Sequence, residues 1–201
     1  MADATAAALH ADDHHYTATG LPSWKVGFWT FLGSECLFFG TLISTYMVYK
    51  GSSVQGPYPH EILNIPLTSV STFVLLMSSL AMVLALDGVR RGSKKLAVTW
   101  LAVVIVFGSI FLGFQVYEFS HFVHEGLTIP RNVFGSSFFV LTGFHGAHVT
   151  VGVVWMTTLL VLALRGRLPP SKALSVEIAG LYWHFVDIVW IVIFTLIYLI
   201  Q

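Results

Sequence analysis

The sequence has 201 residues, 56% hydrophobic and 10% charged, with ten basic and ten acidic groups and a mean hydropathy of +0.79. An average soluble domain carries about 25% charged residues, so this balance points to an integral membrane protein. Zero net charge excludes an electrostatic nucleic-acid binder, and a single cysteine, Cys36, excludes an intramolecular disulfide framework.

The chain opens with a polar stretch. Residues 1–24 include Asp3, His10, Asp12, Asp13, His14 and His15 and have no apolar core, so they read as a flexible extension and not as a cleavable signal. The His14–His15 pair reads as part of that tail in preference to a metal site. A transmembrane domain is expected over residues 25–201, with spans near 27–49, 66–87, 96–117, 134–164 and 176–200. Each run reaches the roughly 20 residues that cross a bilayer. The expected fold is an all-α bundle of five transmembrane helices.

The loops orient it. Arg90, Arg91, Lys94 and Lys95 fall between the second and third spans, and Arg165, Arg167 and Lys172 between the fourth and fifth. With Lys25 they lie on one side, leaving Lys50 and Arg131 on the other. Cationic loops stay in the cytoplasm, so the N-terminus is expected inside and the C-terminus outside. No internal repeat is detectable, which argues against a small transporter built on inverted repeats.

Polar groups inside the spans are costly and are read as functional first. Glu35 falls roughly 12 Å into the first span. A carboxyl there is expected in a neutral form, as a structural hydrogen-bonding group, a proton-linked group or a member of a proton path. In the third span, Gln115 and Glu118 come near the outer interface and read as anchoring or partner-contact residues. Tyr46 and Tyr198 read as interfacial anchors. The fourth span carries His145 and His148 at i,i+3, a spacing that a metal site uses, with few further ligands available. The fifth carries His184 and Asp187, again at i,i+3. By rise per residue His145 falls near the depth of His184 and Glu35. The expectation is a hydrogen-bonded polar layer of Glu35, His145, His148, His184 and Asp187, with no metal in it. Partners for Asp187 include His184 and the indoles of Trp183 and Trp190.

Four segments in order resemble subunit III of the haem–copper respiratory oxidases: WTFLGSECLFF from Trp29 to Phe39, Gln115-Val116-Tyr117-Glu118, TGFHGAHVTVG from Thr142 to Gly152, and YWHFVDIVW from Tyr182 to Trp190. Their order and spacing cover nearly all of the chain after Trp24 and resemble the short five-helix bacterial form. The resemblance implies that Glu35 stands for the family's carbodiimide-reactive carboxylate, with His145/His148 and His184/Asp187 as its helical pairs. Arg165 becomes the candidate for contact with a lipid phosphate. It implies a non-catalytic subunit of a proton-pumping terminal oxidase in the bacterial inner membrane, associated with subunits I and II and with phospholipid, and supporting proton uptake. Haem and copper are expected in the partner subunits and none in this chain. Two alternatives stay open: a stand-alone membrane cytochrome b using His145 or His148 with His184 as haem ligands, and an accessory subunit of a nitric oxide reductase.

Overall fold

A computed structural model of the protein describes residues 20, 23–50, 65–124 and 133–200. The histidines of the N-terminal extension and the loop residues Glu61, Glu125 and Arg131 lie outside the described residues. The described chain is helical, without strands. Helix α1 spans Ser23–Tyr49, α2 Ile65–Arg90, α3 Lys94–His124, α4 Val133–Leu164 and α5 Ala173–Phe194. A 3-10 turn, Pro170–Lys172, leads into α5, and a wider π turn, Thr195–Leu199, continues it. Five helices are long and apolar enough to cross a membrane.

Helix α3 runs to His124, seven residues past the expected edge of its span. No proline or glycine interrupts residues 118–124, and a hydrogen-bonded helix satisfies its backbone as well in the interface as in hydrocarbon. At about 1.5 Å per residue, its 31 residues exceed the roughly 30 Å hydrocarbon core.

The chain divides within α1 into two compact units, one ending at Phe38 and the other beginning at Phe39. In the first, the Thr30 and Ser34 hydroxyls donate back to the carbonyls of Val26 and Phe31. Glu35 is half-buried.

In the second unit, α2 packs on α3 and α5, and α4 packs on the same two helices, closing a four-helix ring. Two turns with the same construction set one of its ends. At Gly92 (φ 69°) the amides of Gly92 and Ser93 bond to the carbonyls of Val89 and Gly88. At Gly166 (φ 68°) those of Gly166 and Arg167 bond to Ala163 and Leu162. Glycine takes this left-handed conformation without the steric penalty of a β-carbon, and the pattern satisfies carbonyls that a helix end leaves open. The Lys94 ammonium donates to Leu164 O at 2.6 Å, placing a cation at the carbonyl end of α4. At the other end of the ring, Lys50 Nζ donates to Leu196 O and Ile200 O of the π turn. Arg90 and Glu177 pair at 3.0 Å between α2 and α5. Exposed as the arginine is, the pair aligns the two helices more than it stabilises them.

Candidate functional site

Helix α5 carries His184 and Asp187 at its centre, and α2 answers it with hydroxyls. The buried face of α2 includes Thr68, Ser71, Thr72, Leu75, Ser78, Ala81, Met82 and Ala85, small or hydroxylic at nearly every turn. Short side chains let a neighbouring helix approach closely, and their hydroxyls accept hydrogen bonds across the gap. Trp183 Nε1 donates to Ser78 Oγ and Trp190 Nε1 to Thr72 Oγ1, both at 2.9 Å. His184 Nδ1 meets Ser79 Oγ at 2.6 Å. Residue numbers rise along α5 as they fall along α2, so the two helices are antiparallel. Each such bond contributes about 0.6 kcal/mol inside a membrane protein, and together they hold one register.

The indole of Trp183 also reaches α3 and α4. A β-carbon on Gly108 would stand 2.8 Å from its ring, and one on Gly152 would stand 2.6 Å away. Three helices therefore close on one side chain, which is fully buried.

Asp187 lies one turn beyond Trp183 and is 3% exposed. Neither carboxyl oxygen has a hydrogen-bond partner. The side chain that meets His184 comes from α2.

His145 is fully buried on α4, and neither ring nitrogen has a hydrogen-bond partner. Its ring stacks on Trp190 at a centroid separation of 4.8 Å and meets Phe111 edge-on at 5.9 Å. Trp190 is six residues past His184, roughly 9 Å along the helix. His145 therefore meets α5 nearly two turns toward its C-terminal end from His184, not at its depth. His148 is only half-buried; its Nδ1 donates to Phe144 O at 2.8 Å, and its ring lies 5.0 Å from that of Phe39. The Tyr182 hydroxyl donates to His148 O at 3.0 Å. His145 and His148 both have the ring of Phe39 as a neighbour, but His145 also lies against Trp190 and Phe111, and His148 against Tyr182. Among the described residues, no three His, Cys, Asp or Glu side chains form a group able to hold a metal ion.

A second polar cluster sits near the π turn. Thr68 Oγ1 donates to Glu118 Oε1 at 2.5 Å, and the Tyr198 hydroxyl lies beside both groups. Tyr46 faces Tyr198. Glu118 is 6% exposed, and both phenols are buried. Sequence position near a span end suggested anchors or partner contacts for Glu118, Tyr46 and Tyr198; all three are instead buried. Gln115 is buried too: its Nε2 donates to Thr142 O at 2.7 Å, and its amide occupies the space beside Gly146. Arg165 is exposed just past α4.

Ser78, Ser79, Thr68 and Thr72 did not stand out in the sequence as functional residues. Their signal was there: hydroxyls three and four residues apart within an apolar span mark one helix face.

Against known proteins, the profile of the family "Cytochrome c oxidase subunit III" matches residues 3–201. The chain is 42% identical over 174 residues to quinol oxidase subunit 3 of Bacillus subtilis (strain 168), covering 87% of this chain and 85% of the relative. It is 43% identical over 178 residues to a probable quinol oxidase subunit 3 of Staphylococcus saprophyticus, covering 88% of each. A probable quinol oxidase subunit 3 of Staphylococcus aureus (strain USA300) is 39% identical over 177 residues, again with 88% of each covered. With five membrane-length helices and likeness over nearly its whole length, the chain belongs to the cytochrome c oxidase subunit III family and is a subunit III of a haem–copper terminal oxidase.

Proposed function

We propose that the chain is the stabilising, non-redox subunit of a proton-pumping quinol oxidase in the bacterial plasma membrane. Membership of an oxidase subunit III family carries association with other oxidase subunits; the proposal is that these are subunits I and II, which hold the haem and copper. The observation behind quinol as electron donor is the 42% identity over 87% of the chain to a protein named quinol oxidase subunit 3. The inside N-terminus and outside C-terminus rest on the cationic residues at 90–95 and 165–172. Phospholipid bound at the exposed Arg165 and support of proton uptake through Glu35 belong to the same proposal.

The interior favours a supporting role over a redox one. A bis-histidine haem needs two imidazoles facing one space from opposite sides. His145 is packed against Trp190 and Phe111, while His184 turns to Ser79 on α2. The space between helices at this level is filled by aromatic rings, whose burial supplies packing energy in hydrocarbon, where no hydrophobic force drives helices together.

Purification through an affinity tag on this chain tests the proposal. The haem-bearing subunits are expected to co-purify, and the preparation to consume oxygen with a quinol and not with reduced cytochrome c. Oxygen uptake with cytochrome c alone would overturn the donor assignment. Nitric oxide consumption without oxygen uptake would assign the chain to a nitric oxide reductase instead.

A further inference from the structure

We propose that Ser79 couples His184 and Asp187 into a proton-sharing relay across the α2–α5 seam. Three observations meet there. The Ser79 hydroxyl is 2.6 Å from His184 Nδ1. Asp187 follows His184 by three residues, on the same face of α5 as the imidazole that meets this hydroxyl. Asp187 is 3% exposed, and its carboxyl has no hydrogen-bond partner at either oxygen. An intramembrane acid that lacks compensation is retained at a cost, which a function repays.

The donor and acceptor inventory allows two arrangements. A hydroxyl donates one hydrogen bond and accepts others, and a neutral imidazole has one nitrogen of each kind. In the first arrangement, the carboxylic acid of Asp187 donates to Ser79 Oγ, and Ser79 donates to an unprotonated His184 Nδ1. In the second, His184 Nδ1–H donates to Ser79 Oγ, and Ser79 donates to the Asp187 carboxylate. Conversion moves the carboxyl proton onto Ser79 Oγ while the hydroxyl's own proton passes to Nδ1. A neutral acid and neutral imidazole thereby become a carboxylate and an imidazolium, with the Nε2 proton unmoved. His184 is half-buried, so exchange with groups outside the ring runs through its Nε2, while Asp187 is the enclosed end.

Among the described residues of α2 to α5, the other titratable groups are engaged elsewhere. The buried face of α2 carries no titratable side chain. On α3 the buried residues from Leu101 to Gln115 are likewise uncharged, and Glu118 beyond them is engaged by Thr68. On α4 the titratable groups are His145, stacked on Trp190, and His148, which donates to Phe144 O. On α5 they are Tyr182, bonded to His148 O, and Tyr198 in the cluster near the π turn, with Glu177 paired to Arg90. The relay stands on the α2–α5 geometry and does not depend on the electron donor or on Glu35.

Infrared difference spectra of the purified, assembled oxidase across a pH step read it directly. The parent is expected to show a carboxylic-acid band that is lost in Asp187→Asn, together with an imidazole signal lost in His184→Asn. Ser79→Ala should shift the acid band and uncouple it from the imidazole signal; Ser79→Thr, which keeps the hydroxyl, should restore both. Where Asp187→Asn fails to assemble, the Ser79 pair carries the test alone. A merely structural hydroxyl would alter stability and leave the coupled signals in place. Acid and imidazole signals identical in Ser79→Ala and the parent, or no acid band that depends on Asp187, would overturn the relay.

Discussion

Trp183 of α5 occupies the space that Gly152 leaves on α4: a β-carbon at position 152 would stand 2.6 Å from the indole ring. Because the same ring lies against Gly108 of α3 and donates to Ser78 of α2, one side chain ties four helices together.

That contact makes Gly152→Ala an overpacking change expected to destabilise the subunit by about 1–3 kcal/mol. Trp183→Ala should cost about 3–5 kcal/mol through the cavity it opens. Trp183→Phe should fall below that, losing the Ser78 bond and part of the ring. The temperature at which the subunit dissociates from the detergent-purified oxidase checks the order. A Gly152→Ala complex as stable as the parent would show that the ring can move aside.

The cluster near the π turn should behave as a unit. Thr68→Val removes the donor to Glu118 and leaves a buried acceptor short of a bond, an expected cost of about 1–3 kcal/mol. Tyr198→Phe removes a second hydroxyl beside the same carboxyl. Residues in one network do not add independently, so the double variant should lose less or more than the sum by at least about 0.5 kcal/mol. Strict additivity in thermal dissociation would place the two hydroxyls in separate environments.

Topology is open to chemical labelling. In a Cys36→Ser background, cysteines at Lys95 and Arg167 should resist an impermeant thiol reagent in intact cells, whereas one at Gln55 should react. The converse pattern would invert the orientation and put the cationic turns outside.

Deleting the chain should leave oxygen reduction measurable while shortening the active lifetime of the oxidase during turnover. The expectation follows from an interior packed with side chains and from helices whose outward faces are apolar, such as Leu37, Val70, Val116 and Ile188. A deletion strain whose oxidase retains the parent's turnover lifetime would remove the stabilising role.

Glu35→Gln keeps size and hydrogen bonding while removing titration. Normal assembly is expected, with at most a modest loss of protons pumped per electron. Complete loss of pumping in a well-assembled variant would make this carboxyl part of the proton path.

The sequence by itself determined that the chain is a membrane protein with five helices, because hydrocarbon demands long apolar runs with internally satisfied backbones. It also singled out Glu35, His145, His148, His184 and Asp187, since a polar residue in such a run is conspicuous whatever its surroundings. Motif order and spacing were enough to suggest the family. Which groups meet was decided only by the tertiary structure. Rise per residue put His145 level with His184, yet its ring stacks on Trp190; proximity along α5 suggested His184 for Asp187, yet His184 turns to the hydroxyl of Ser79. Glu118 and Tyr198 looked like interface residues because linear position tells depth but not direction. A helix places neighbours about 100° apart, so the partner of each buried side chain is chosen by the face of the opposing helix, and that face exists only once α2, α3, α4 and α5 have closed into a ring.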